Sequence, residues 1–224
     1  MKRTLNVKDK ILQKTSEEID DDLGFNIKKI ESDLVTSAKK MRPLGNMSSF
    51  GEVLHKGNQT WVGLDPQTLN TPYSELLKIC DLLPLNNDEI FIDLGAGYGR
   101  MGIVLHMLFP GVKFFGYELV PERVNEGRRI FEMLGAINAK IDVQDLTDPD
   151  FNIPIAQYYF LYDFGKVHHI RKILHQLESL ADMNHHFKVI ARGKGSRSII
   201  ESEHPWLALL NEVHHEENFS IYSF

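Results

Sequence analysis

The chain has 224 residues, 42% apolar and 25% charged, enough for one α/β domain with an appendage and too few for two such domains. Its formal charge of −6 repels a phosphate backbone, so nucleic acid is the weaker class of partner. The single cysteine, Cys80, excludes an internal disulfide and a zinc site built on several thiolates, and no segment reaches the ~20 apolar residues of a membrane helix; we expect a cytoplasmic protein without a membrane partner.

Residues 1 to about 45 are rich in charge and poor in aromatics. Ile27, Ile30, Leu34, Ala38 and Met41 recur at helical spacing, giving an apolar face that needs a partner. Thr15 and Glu18 have the spacing of a capping box. Pro43, Gly45, Gly51 and Gly57 mark 41–60 as a loop-rich connection. We therefore place an N-terminal helical extension and its connecting loop over 1–58, and the main domain over 59–224.

From Thr71 the periodicity alternates. TPYSELLKICDLL reads as a helix with Thr71 as N-cap and Pro72 as its first residue. EIFIDLG is a strand, GRMGIVLHMLF a helix, VKFFGYE a second strand, PERVNEGRRIFEML a helix and AKIDVQD a third strand. AQYYFLYDF makes a fourth strand, VHHIRKILHQLESLA a helix and FKVIAR a fifth strand, followed by ARGKGS as a solvated loop. Alternation of this length implies right-handed crossovers and a doubly wound, mostly parallel sheet with helices on both faces. The last stretch, LNEVHHEENFSIYSF, reads as two strands around a polar turn, an antiparallel hairpin at one sheet edge.

In such a sheet ligands bind beyond the carboxyl ends of the strands. FIDLGAGYGR puts Gly95, Gly97 and Gly99 there, with Asp93 two positions ahead of the first glycine. The third glycine comes one residue earlier than in the G-x-G-x-x-G pattern that seats a pyrophosphate, and Arg100 fills the expected slot. A carboxylate before the turn is unfavourable beside a diphosphate and suits a cation, such as an ammonium or a sulfonium. Glu118 ends the second strand 21 residues after Gly97, near the offset at which an acid accepts ribose hydroxyls. Asp145 ends the third and can accept from an adenine amino group. The ten histidines include the doublets His168-His169, His185-His186 and His214-His215, whose neighbouring side chains diverge on regular structure, so no metal is expected.

DLGAGYG, YELVPERV, QDLTDPDF and FLYDFG, in this order and spacing, resemble the class I S-adenosylmethionine-dependent methyltransferases over roughly residues 60 to 224. The resemblance implies a Rossmann-like fold with S-adenosylmethionine as cofactor. It implies that Gly95, Ala96, Gly97 and Gly99 form the methionine-side loop with Asp93 near the ammonium. Glu118, followed by Leu119, would hold the ribose, and Asp145 the adenine amino group, with Leu146 against the ring. A narrower likeness joins TPYSELLKICDLLPLNNDEIFIDLGAGYG to the non-SET histone-lysine methyltransferases, with Thr71 matching a cofactor-contacting threonine. IPIAQYYFLYDF resembles the strand that ends in N-N-F-x-F in that family, but Tyr162 and Asp163 replace the asparagines and Lys166 the last phenylalanine. These departures fall on the acceptor side.

Methyl transfer is an in-line displacement, helped by alignment and by exclusion of water. Asp163 and Tyr162 are the candidates to orient an acceptor, and Tyr73, placed on the surface by its position, is a candidate to close over the donor. The methyl acceptor is expected to be a protein side chain, lysine first, with RNA and a small molecule as alternatives. The oligomeric state is left open. A nicotinamide-dependent oxidoreductase, disfavoured by the glycine offset, and a noncatalytic protein that keeps the fold are the competing classes.

Overall fold

The computed structural model describes residues 8–40, 61–209 and 212–224. The boundary expected at 58, the loop-rich connection 41–60 and Met41 lie outside the described residues. Five parallel strands, β1 (Ile90–Leu94), β2 (Lys113–Glu118), β3 (Ala139–Val143), β4 (Tyr158–Tyr162) and β5 (Lys188–Arg192), join a C-terminal hairpin of β6 (Val213–His215) and β7 (Phe219–Ser223). The sheet order is β3-β2-β1-β4-β5-β7-β6, with β7 antiparallel to β5 and β6. Strand order therefore reverses between β1 and β4, the place where a ligand crevice opens in a doubly wound sheet.

The period of two along each strand builds two cores. Phe91, Phe114, Tyr158 and Ile190 point to one face, where Phe91 stacks between Phe114 and Tyr158. Ile92, Leu94, Tyr159, Leu161 and Val189 point to the other. The first face is covered by α4 (Tyr73–Leu82), α5 (Arg100–Leu108) and α6 (Pro121–Leu134), the second by α7 (Val167–Asp182), α8 (Lys194–Glu203) and α9 (Pro205–Ala208).

Ahead of these come α1 (Ser16–Asp22), α2 (Ile27–Lys40) and the short α3 (Pro66–Leu69). Thr15 and Glu18 close a capping box at the start of α1. Of the apolar face expected on α2, Ile27, Leu34 and Ala38 are buried. Ile11, Ile19, Phe25 and Ile27 belong to the same core as α4 and α5, so the extension packs into the first face of the sheet.

Buried ion pairs fasten it. Asp20 of α1 pairs with Arg100 at the start of α5, and Glu31 of α2 accepts from Nε and Nη2 of Arg123 on α6, at 2.8 and 3.1 Å. Such a pair is costly to break from one side, by roughly 3–5 kcal/mol, because it strands the other charge.

Two local expectations change. The helix after Thr71 begins at Tyr73, with Pro72 as N-cap, and the Tyr73 amide donates to the Ser16 hydroxyl at 3.1 Å. The cap thus comes from α1 across the chain, a partner that local sequence does not reveal. ARGKGS is not a solvated loop: its last three residues open α8, whose free amides are met by a side chain from the end of β4, described below.

Candidate functional site

Three hollows lie side by side at the carboxyl ends of β1, β2 and β4. The glycine turn after β1 is shaped by left-handed backbone at Gly95 (φ +91°) and Gly97 (φ +55°). A Cβ on Gly97 would stand 2.9 Å from Oδ1 of Asn70, so only glycine lets the turn pass under this asparagine. Gly99 opens α5 against the ring of Phe131 and lies outside the walls of the three hollows.

The first hollow is bounded by Gly97 and Glu118 and by Leu119, Asp145 and Leu146, with an open volume of about 760 Å³. Glu118 is buried and accepts at 2.9 Å from the Gly97 amide through one oxygen and at 2.9 Å from the Val120 amide through the other. The Arg123 guanidinium stands 3.9 Å from the oxygen that the Val120 amide reaches, too far for a hydrogen bond, and each oxygen, with about two acceptor positions, keeps one that no hydrogen bond fills among the described residues. Asp145 lies two residues past the end of β3, where its Oδ1 accepts from the amide and hydroxyl of Thr147 at 2.8 and 2.6 Å. His169 also lines this hollow; its Nδ1 accepts from the Lys166 amide at 3.1 Å, which puts the proton of the neutral ring on Nε2. Burial, followed by the nearby His168, lowers its pKa and keeps it neutral.

The second hollow is smaller and holds Asp93, with Thr71, Ala96 and Arg100 in its walls. Asp93 is buried, and among the described residues no hydrogen bond or ion pair reaches its carboxyl. Burial, then the neighbouring Glu118, raises its pKa to about 8. A carboxyl in this state favours a cationic or strongly donating ligand, which would restore the ionised form. Arg100, in contrast, has its charge spent on Asp20, and it also donates to the Thr71 carbonyl at 3.3 Å and to Gln67 at 2.9 Å.

The third hollow lies between residues 61–69 and the end of β4, and contains Tyr162 and Asp163. Both residues expected as a catalytic pair are held here by other groups of the protein. The Asp163 carboxylate accepts from the amides of Gly195 and Ser196 at 3.1 and 2.6 Å, and from the Ser196 hydroxyl at 2.8 Å, so it caps α8. Tyr162 donates to the Thr68 carbonyl at 2.9 Å, and the Arg192 guanidinium lies 4.0 Å from the centre of its ring. Arg192 itself pairs with Glu75 at 2.5 Å. Tyr73 is no lid: it is buried to 1% exposure, donates to Asp20 at 3.1 Å, and has its hydroxyl pKa raised by burial. A tyrosine at a helix start reads as exposed only until another helix is laid over it, and α1 does so here.

Sequence reading missed Trp61, Leu69, Asn70, Phe164 and His169, all in the walls of the first hollow. Only Phe164 falls in a quoted motif, FLYDFG, and the motif gives it no role of its own. Trp61, Leu69 and Asn70 arrive because the segment before α4 folds back over the strand ends.

Away from the rim, His175, Glu178 and His204 present ligand atoms within 4.8 Å of one another. The Trp206 indole N–H, a donor only, gives its hydrogen to Nδ1 of His204 at 3.1 Å. The neutral ring then carries its own proton on Nε2, and no lone pair of His204 is left for an ion.

No protein-family model matches the sequence, nor does any curated protein. Solved structures do match the fold. A precorrin-6y C5,15-methyltransferase from Geobacter metallireducens GS-15 superposes with a TM-score of 0.53 at 16% identity, over 72% of this chain and 92% of that one. This is a Rossmann-like methyltransferase fold. The C-terminal domain of the precorrin-6Y enzyme from Rhodobacter capsulatus gives 0.50 at 12% identity, over 71% and 91% of the two chains. A mitomycin 7-O-methyltransferase gives 0.51 at 16%, over 67% and 52%. Among the described residues no helix is long and apolar enough to cross a membrane.

Proposed function

We propose that the protein is a methyltransferase that takes its methyl group from S-adenosylmethionine. The observation that carries this reading is Asp93: a buried carboxyl without a partner among the described residues, facing a hollow one wall away from Glu118. A dinucleotide would bring a diphosphate to the glycine turn beside Glu118, would leave the buried Asp93 protonated and unused, and would find Arg100 already neutralised by Asp20. A nucleoside with an ammonium would draw Asp93 into its ionised form and pair with it.

In this reading Asp93 takes the donor's ammonium, while the Gly95–Gly97 turn and Thr71 flank its methionine end. Glu118 takes the ribose hydroxyls with its two spare acceptor positions. Asp145 and Leu146 stand at the adenine, and His169 offers Nε2–H at the same end. The bound sulfonium supplies an activated methyl group. The chain contributes alignment and a wall that excludes water, formed by Leu69, Asn70 and Tyr162 over the glycine turn. The narrower sequence likeness points to a protein lysine as acceptor, but an ammonium must lose a proton before attack, and Asp163, the expected helper, is committed to α8.

The reading is tested by calorimetry with S-adenosylmethionine, S-adenosylhomocysteine and NAD. The expected result is binding of the first two and none of the third. Incubation with radiolabelled donor and fractionated lysate should then transfer label to one fraction. Affinity for NAD without affinity for the sulfur nucleosides would make the protein an oxidoreductase instead.

A further inference from the structure

The three hollows share walls in a particular way. Leu69, Asn70, Gly95, Gly97 and Tyr162 line both the Glu118 hollow and the Asp93 hollow. Of these, Leu69 and Tyr162 also line the third. A donor with its ammonium at Asp93 and its ribose at Glu118 has its sulfur at the junction, so the third hollow is the space the methyl group faces.

Its chemistry is one-sided. Trp61, Leu64, Leu69 and Tyr162 supply aromatic and aliphatic surface around it. The polar groups there are spent within the protein. The Thr68 carbonyl accepts from Tyr162, the Asp163 carbonyl accepts from the Trp61 indole at 3.2 Å, and the Asp163 carboxylate caps α8. Arg192, beneath Tyr162, is neutralised by Glu75. Trp61 (φ 54°) and Asp163 (φ 32°) are both non-glycine residues in left-handed backbone, and they are bonded to each other. Strain of this kind costs about 1–3 kcal/mol per residue and persists where the surroundings fix it. Trp61 lines both the first and the third hollow.

We propose that the third hollow is the acceptor site and that it takes a small, flat aromatic compound carrying a thiol. This rests on the donor reading above. Among the described residues the walls offer neither a free carboxylate to deprotonate a lysine ammonium nor a free cation to follow a nucleic-acid backbone. An aryl thiol needs neither, because it ionises near neutral pH and gives its proton to bulk water before it enters the hollow, whereas a phenol holds its proton about as tightly as a lysine ammonium does. Its sulfur then forms a bond to the methyl carbon as the carbon–sulfur bond of the sulfonium breaks. The electron pair of that bond stays on the donor sulfur, leaving a neutral thioether. The apolar walls keep water from the line of attack.

The test uses the full chain saturated with S-adenosylhomocysteine and 2-naphthalenethiol as probe, its binding followed by saturation-transfer NMR. We expect saturable binding that Leu64→Arg weakens by at least ~10-fold, with S-adenosylhomocysteine affinity within about twofold of the parent; one lost contact surface and one blocked pocket account for that scale. Leu64 is 48% exposed, so the variant folds without burying its charge. With S-adenosylmethionine, mass spectrometry should find methyl 2-naphthyl sulfide and no label on a lysine-rich peptide or an oligoribonucleotide. Absence of probe binding, binding indifferent to Leu64→Arg, or methyl transfer to the peptide or the oligonucleotide would overturn the proposal while the donor reading stands. Failure to bind S-adenosylhomocysteine would fell the donor reading itself.

Discussion

At the ends of β1 and β2, Asp93 and Glu118 face the cleft with acceptor capacity to spare, and Asp93 has no partner among the described residues. At the end of β4 and the start of α4, Asp163 and Glu75 occupy comparable places along the same rim, and both are spent. Asp163 takes three hydrogen bonds from the 195–196 turn, and Glu75 takes Arg192 through one oxygen and Asn218 through the other. Position at a strand end therefore does not make a carboxylate functional. What its two oxygens already hold decides it.

Substitutions along the rim can break this contrast. The largest effect is expected from Gly97→Arg, which forces a side chain into left-handed backbone and against Asn70; donor binding should fall by at least ~100-fold in calorimetry. Next comes Glu118→Ala, expected to weaken the donor by about 10- to 100-fold, the range for losing hydrogen bonds to a charged acceptor.

Asp93→Asn should cost roughly tenfold in donor affinity. It also carries a signature in pH. Because the folded pKa of Asp93 is raised, its favourable contribution to folding is full below the ordinary carboxylate range and lost as pH rises through about 8. Melting curves of the unliganded protein should thus show Asp93→Asn more stable than the parent at about pH 9, and nearly equal at about pH 4.

The smallest effect on the donor belongs to Asp163→Ala, within about twofold, while stability drops by ~1–2 kcal/mol through loss of the α8 cap. Denaturant melts should show Asp163→Asn recovering part of that loss. If Asp163→Ala instead kept its stability and lost only turnover, the contrast between the two sides would fail.

Much of the rim that holds Asp93 and Glu118 was legible in the sequence. Asp93, the glycine turn and Glu118 are consecutive strand ends, and the order and offsets of strand ends follow from periodicity alone. The parallel sheet and the C-terminal hairpin follow for the same reason. The surroundings of the β4 end were not legible, because their meaning lies in contacts between distant segments. Asp163 reaches Ser196, Tyr73 lies beneath Asp20 of α1, and Trp61 bonds the backbone of Asp163. Arg100 and Arg123 gave no hint that their partners, Asp20 and Glu31, sit on the N-terminal helices. Periodicity shows which face of a helix is apolar. It does not show which acid on the other face will be buried.

The central claim is that Asp93 is neutral in the empty protein and becomes a carboxylate against a cationic ligand. Titrating S-adenosylhomocysteine at about pH 7 in two buffers of different ionisation enthalpy measures the proton count directly. The account predicts release of about one proton per ligand bound, abolished in Asp93→Asn. Binding with no proton released, or release that survives Asp93→Asn, would contradict it.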